Sequence, residues 1–278
     1  MTALFDLTDL EAQLYHEHRV RITYKMNITG KVVIITGASS GIGAETAKLF
    51  ASHGALVTAV GRNEVRLTQV ADACEAFHGN RPLCVRVDLT VDGSCEEVVN
   101  KTVEKYKKID ILVNCAGKTI VSSLFENSME TFDDLVSLNL RVPYKLCQLC
   151  VPYLKLTKGN VVNVFGNKCV HRPGFILSAV LCSALQSFTV SGSRDLSCEG
   201  IRMNAVRPGV TRTHYLANFN VDEDLMDLTY NEIAKAQPQM INEPEDVAKM
   251  ILFLAGHEHP NLTGNNLFLD GGATSCSN

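Results

Sequence analysis

The chain has 278 residues, 46% hydrophobic and 20% charged, with a formal net charge of −4. That balance supplies core for one large α/β domain, and the acidic charge excludes the electrostatic footprint of a nucleic-acid-binding protein. No apolar run reaches about 18 residues, which argues against a membrane span, and the 10 cysteines follow no disulfide-scaffold spacing, which points to reduced thiols in a cytoplasmic compartment.

Residues 1–26 read as an N-terminal extension. Leu4, Leu7, Leu10 and Leu14 fall at helical spacing among Asp6, Asp9 and Glu11. The stretch is too acidic for a mitochondrial presequence and too polar for a signal peptide. It is expected to pack on the surface, remain partly disordered, or form a partner-binding helix. Residues 27–278 are expected to form a single domain.

The domain opens with an apolar strand, Val32-Val33-Ile34-Ile35, followed by Thr36-Gly37-Ala38-Ser39-Ser40-Gly41-Ile42-Gly43 and a helical stretch from Ala44 to Phe50. Strand, glycine turn and helix together aim backbone N–H groups and a positive helix terminus at a phosphate. A second strand, Ala55 to Val60, ends at Gly61-Arg62-Asn63. NAD-selective folds usually carry a carboxylate there for the ribose 2′-hydroxyl. A guanidinium can instead meet a 2′-phosphate bidentately, so Arg62 favours NADP(H), with NAD(H) as the alternative; a solvated surface Arg is the bland reading.

A helix over Glu64 to Phe77 leads to a third strand, Leu83 to Val87, which ends at Asp88-Leu89. Asp88 also reads as a cap for a helix beginning near Val91. The next strand runs Ile109-Asp110-Ile111-Leu112-Val113-Asn114 into Cys115-Ala116-Gly117, and a long helix is expected from about Met129 to Leu154. Within that helix Cys147-Gln148-Leu149-Cys150 has no second ligand pair, so the pair reads as packed thiols and no metal site is expected. The strand Asn160 to Val164, a helix ending near Glu199, the strand Ile201 to Val206, the turn Pro208-Gly209-Val210-Thr211-Arg212-Thr213, a helix from Glu243 to Leu254 and a last strand, Asn265 to Leu269, complete the order. Alternating strands and helices imply an α/β fold, Rossmann-like and doubly wound, with a mostly parallel sheet and helices on both faces.

From Asn27 to Ala273 this succession resembles the short-chain dehydrogenase/reductase family. The resemblance rests on TGASSGIG, on Asn114-Cys115-Ala116-Gly117 (the family's N-N-A-G with Cys115 for the second Asn), on Asn139 and on Pro208-Gly209. It implies a dinucleotide groove formed by Gly37, Ser39, Ser40, Gly41, Ile42, Gly43, Arg62, Asp88, Leu89, Asn114, Ala116, Gly117, Pro208, Gly209, Thr211 and Thr213. It also places Asp88 at the adenine ring and Asn139 in a catalytic proton relay, although a structural role for Asn139 reads as the stronger one. Residues 214 to about 240 would form a lid, with an acidic patch at Asp222, Glu223, Asp224 and Asp227. Family members usually form homodimers or homotetramers, with a dinucleotide and a small-molecule ligand as the implied partners.

The resemblance gives out at the chemistry. Gly166, Ser178 and Cys182 occupy the positions of the family's catalytic Ser, Tyr and Lys, and none of the 7 tyrosines is followed four residues later by Lys. In the family a phenol donates the proton, and the Lys ammonium lowers its pKa from about 10. A serine hydroxyl is less acidic and shorter. The leading expectation is therefore an NADP(H)-binding protein that is inactive or severely impaired, acting through ligand or partner binding. One alternative is an active oxidoreductase on a small carbonyl or alcohol, with its acid relocated to His171 or Lys168 beside Cys169 and Arg172, or near Tyr215. The other is a cofactor-free structural subunit paired with an active relative.

Overall fold

The computed structural model describes residues 27–125, 128–166, 174–213, 231 and 241–273. The leucine-spaced extension, Lys168, Cys169, His171, Arg172 and Tyr215, and the acidic patch at 222–227 lie outside the described residues.

Seven parallel strands form the central sheet: β1 (Val32–Thr36), β2 (Leu56–Gly61), β3 (Leu83–Arg86), β4 (Ile111–Asn114), β5 (Asn160–Val164), β6 (Arg202–Pro208) and β9 (Asn266–Leu269). Their spatial order is β3-β2-β1-β4-β5-β6-β9. A second, two-stranded parallel sheet pairs β7 (Val210–Thr211) with β8 (Ile241–Asn242). The chain winds outward from β1 in one direction to β3, then returns to β4 on the other side. The crevice at the carboxyl ends of β1 and β4 is thus the topological switch point, where open α/β sheets take their ligands.

The strands read as continuous apolar runs because both faces are covered. Alternation along β1 sends Val33 and Ile35 to one face and Ile34 to the other. Val33 and Ile35 join Phe50, Val57, Ile251 and Leu254 in a core beneath α1 (Gly41–Ser52) and α7 (Pro244–Ala255). Ile34 joins Val60, Val98, Leu112, Leu146, Leu154 and Met203 on the opposite side. Three further helices, α2 (Glu64–His78), α3 (Ser94–Tyr106) and α6 (Ile176–Ser197), complete the layers with the helical stretch after β4. A smaller cluster of Phe165, Cys182, Leu185 and Ala205 packs α6 against the sheet.

Two local expectations are corrected. The long helix after β4 is not uninterrupted: α4 (Met129–Val136) passes into a π turn, Ser137–Arg141, before α5 (Val142–Thr157). The cause is legible in the residues. Pro143 has no N–H for the carbonyl four residues earlier, that of Asn139, so the α-helical ladder cannot close there. Nor does Asp88 cap a helix near Val91. Its carboxylate accepts from Thr90 N (3.0 Å) and Thr90 Oγ1 (2.7 Å), and α3 begins only at Ser94, after Gly93 at φ 86°.

By length and composition α6 is apolar enough to cross a membrane. In the fold it is a packed helix, with Leu181, Leu185, Thr189 and Ser193 buried beside the sheet.

Candidate functional site

The glycine turn sits at the switch point, and its glycines are required by space. A Cβ on Gly43 would lie 2.3 Å from Gly37 O, backbone against backbone. Gly37 (φ +71°) would place a Cβ 3.1 Å from Ala116 Cα, and Gly41 (φ +53°) would place one 3.0 Å from Thr213 Cγ2. The turn therefore touches both Ala116, at the end of β4, and Thr213, beyond the Pro208-Gly209 turn. Thr36 Oγ1 ties the same parts together by accepting from Cys115 N and Ala116 N, each at 3.0 Å. Ser40 is the N-cap residue of α1, yet its hydroxyl makes no capping bond, and the first turn carries no acid. The N–H groups and positive end of α1 are left for a ligand anion.

At the far end of the groove Gly61 meets Ser39: a Cβ on Gly61 would lie 3.0 Å from Ser39 Oγ. Arg62 forms an exposed ion pair with Asp88, 3.8 Å between Nη1 and Oδ2. The Thr90 hydrogen bonds hold the Asp88 carboxyl below its ordinary pKa, assisted by Arg62 and Lys118. Leu89 is buried in the second core layer.

At the end of β4 a buried chain of amides crosses to α6. Asn114 Nδ2 donates to Asn163 Oδ1 (2.9 Å), and Asn163 Nδ2 donates to Thr189 Oγ1 (3.0 Å). Cys115, packed at the edge of the first core layer, has its thiol pushed up to about 12 by burial. Asn139, inside the π turn, spends its carboxamide on one neighbour: Oδ1 accepts from Lys118 N (2.9 Å) and Nδ2 donates to Lys118 O (2.7 Å). Gly209 N donates to Leu269 O (2.8 Å), and Thr211 Oγ1 donates to Gly209 O (3.1 Å), which anchors the turn after β6 to β9.

Gly166, Ser178 and Cys182, the positions that the resemblance gives to the family's Ser, Tyr and Lys, are brought to the same end of the sheet. Ser178 is 8% exposed and hydrogen-bonded to the hydroxyl of Thr119, itself 5% exposed. Ser122 reinforces the closure: its Oγ accepts from Leu177 N (3.1 Å) and its N–H donates to Gly174 O (2.8 Å). The segment after Gly117 is thereby stitched to the start of α6. Cys182 Sγ lies 3.7 Å from Gly166 O, and a Cβ on Gly166 would meet nothing within 4 Å among the described residues. Phe165, just before Gly166, lies against the buried Arg207 guanidinium at 5.1 Å, with Phe268 at 4.6 Å. Arg207 Nη1 also donates to Gln186 Oε1 (2.8 Å).

Sequence reasoning missed Thr119 and Lys118. Thr119 carries no motif. Lys118 is signalled only by a cation standing directly after Ala116-Gly117.

Residues 37–274 match the family model described as enoyl-(acyl carrier protein) reductase. The chain belongs to the short-chain dehydrogenase/reductase family. It is 34% identical to the 3-oxoacyl-[acyl-carrier-protein] reductase FabG of Thermotoga maritima over 89% of this chain and 99% of that protein. Among solved structures, a short-chain dehydrogenase/reductase of unknown function from Caenorhabditis elegans, with cofactor, superposes with a TM-score of 0.85 at 30% identity, covering 90% of this chain and 97% of that one. A short chain dehydrogenase from Burkholderia cenocepacia in complex with NADP gives 0.79 at 29% identity, covering 89% and 99%. Against this family background the fold is that of an oxidoreductase.

Proposed function

We propose that this short-chain dehydrogenase/reductase binds NADP(H) at its glycine turn, and that it catalyses carbonyl reduction feebly or not at all, serving instead as a dinucleotide-dependent ligand or partner sensor. The observation that carries the reading is the contrast between the two ends of one groove. The turn at Gly37, Gly41 and Gly43 leaves no room for side chains and presents an uncapped helix terminus, which fits a pyrophosphate. Ser39, Ser40 and Ile42 complete that turn. Arg62 then meets a 2′-phosphate, Asp88 and Leu89 flank the adenine, and Asn114, Ala116 and Gly117 form the floor. Pro208, Gly209, Thr211 and Thr213 border the nicotinamide end.

When bound, the nicotinamide supplies a hydride in this family. A reduction also needs a proton at the carbonyl oxygen, and the described residues offer no suitable donor. The Ser178 hydroxyl is far weaker as an acid than a phenol and is engaged with Thr119. Cys182 brings no positive charge, and Gly166 brings no hydroxyl to orient a carbonyl. General acid catalysis contributes roughly 10²–10⁴-fold, and an orienting donor contributes a further electrostatic term. These groups act as a unit, so the losses need not multiply.

One observation favours a second reading, an active enzyme with its acid on His171 or Lys168: relatives that match nearly their full length are named as reductases. A cofactor-free subunit is the third. Titrating the purified full chain with NADPH, with NADH as control, and then assaying NADPH oxidation over a carbonyl panel separates them. Saturable NADPH binding without turnover supports the sensor. Turnover lost in His171→Ala or Lys168→Ala supports the enzyme. No binding up to millimolar cofactor supports the subunit. We further infer a homodimer or homotetramer in the cytoplasm, testable by light scattering and cell fractionation.

A further inference from the structure

The rim of the groove carries a row of alternating charges: Arg62 after β2, Asp88 after β3, Lys118 after β4 and Asp134 on α4. Arg62 pairs with Asp88, and Lys118 pairs with Asp134. Lys118 also helps, after the Thr90 hydrogen bonds and Arg62, to hold the Asp88 carboxyl ionised. This row borders the path of a ligand that lies on Gly37, Ala116 and Gly117 and reaches toward Asp88.

Three features make Lys118 more than a surface lysine. Its backbone is clamped at both N–H and C=O by Asn139, which fixes where the side chain leaves the chain. It directly follows Gly117, next to the Ala116 that the glycine turn touches. The glycine turn itself has no cation, since Ser39 and Ser40 stand there. Both rim cations rest on exposed carboxylates, with Asp88 42% and Asp134 55% exposed at the side chain. Exposed pairs of this kind contribute little and exchange readily.

We propose that Lys118 is a cofactor-binding residue: its ammonium leaves Asp134 and binds a phosphate of the dinucleotide's adenosine half, supplying the positive charge that the glycine turn lacks. The inference rests on the dinucleotide reading above and deepens it. Asp134 is the resting partner, which keeps the ammonium over the groove while no phosphate is present. No bond is made or broken, and the exchange is one ion pair for another. A charge-assisted hydrogen bond to phosphate is stronger than a solvent-screened carboxylate pair, so the exchange favours the liganded state.

The test is calorimetric titration of the full chain and its Lys118→Gln, Lys118→Arg and Asp134→Asn variants with NADPH, NADH, ADP and 2′,5′-ADP. Lys118→Gln is expected to weaken NADPH binding by about ten-fold or more, with Lys118→Arg largely rescuing it. Asp134→Asn is expected to bind as tightly as wild type or more tightly, because it frees the ammonium. Loss confined to NADPH and 2′,5′-ADP assigns the contact to the 2′-phosphate, whereas loss with all four assigns it to the 5′-phosphates. Lys118→Gln binding within about two-fold of wild type, or Asp134→Asn weakening as much as Lys118→Gln, overturns the inference while leaving the dinucleotide reading intact. Wild-type protein that binds none of the four overturns both. The pair is exposed, so the variants are expected to fold, and matched thermal transitions verify it.

Discussion

The hydroxyls of Thr119 and Ser178 hydrogen-bond to each other in the interior, at the position that the resemblance gives to the family's catalytic tyrosine. This contact closes the segment after β4 onto the start of α6 and holds the Ser178 hydroxyl against Thr119. A tyrosine at 178 would have to displace Thr119. Installing the family residues as Gly166→Ser, Ser178→Tyr and Cys182→Lys is therefore expected to give NADPH-dependent carbonyl reduction above the wild-type level. Adding Thr119→Ala should raise that gain further. Steady-state NADPH oxidation reads both, and a folded, cofactor-binding quadruple variant with no activity would show that the substrate pocket has diverged as well.

The glycines of the site differ sharply in what surrounds them. Gly43→Ala drives a methyl into the Gly37 carbonyl and is expected to cost ~1–3 kcal/mol of stability and to abolish NADPH binding. Gly166→Ala meets nothing within 4 Å among the described residues and should change stability by less than about 0.5 kcal/mol. Urea unfolding of the two variants, followed by cofactor titration, checks the contrast.

The Asn114–Asn163–Thr189 chain joins β4 and β5 to α6 through buried amides. Asn163→Leu leaves the Asn114 amide donor without its acceptor and is expected to cost about 2–3 kcal/mol. Thr189→Val removes the acceptor of the second bond together with the hydroxyl's own bond to Leu185 O (2.9 Å), and should cost about 1–2 kcal/mol. Equal losses in chemical denaturation would mean that packing, not hydrogen bonding, sets the value of this chain.

Burial raises the thiols of Cys74 and Cys95 to about 11 and those of Cys115 and Cys147 to about 12, and it raises Cys150 still further. The nucleophile is the thiolate, so these groups are expected to resist maleimide in the native protein at pH 8. Among the eight described cysteines, the exposed Cys198 should label first and Cys84, also exposed but with its thiol raised, more slowly. Peptide mapping after timed labelling gives the order. Fast labelling of Cys147 or Cys150 would indicate that α5 opens from the sheet.

The frame was legible in the chain because its signals are local. Apolar runs such as Val32–Ile35, glycines where a Cβ cannot fit, and Asn114 followed by small residues at a strand end each carry their meaning over a few residues. Pro143 belongs in the same group: its missing N–H opens the helix at Asn139, although the expected helix ran straight through it. The register of α6 gives Ser178 and Cys182 their places by resemblance to the family, an assignment that the triple substitution above tests.

What the sequence determined alone was thus the doubly wound fold and the switch-point crevice; that Gly166, Ser178 and Cys182 stand at the family's Ser, Tyr and Lys positions is what the resemblance implies. Tertiary structure decided what surrounds them. Thr119 lies 59 residues from Ser178 and Lys118 lies 21 from Asn139. The row Arg62, Asp88, Lys118 and Asp134 assembles from the ends of three strands and one helix. Such contacts carry no periodicity along the chain; they exist only because parallel β-strands bring distant loops to one edge of the sheet, where polar side chains must find partners as they leave water.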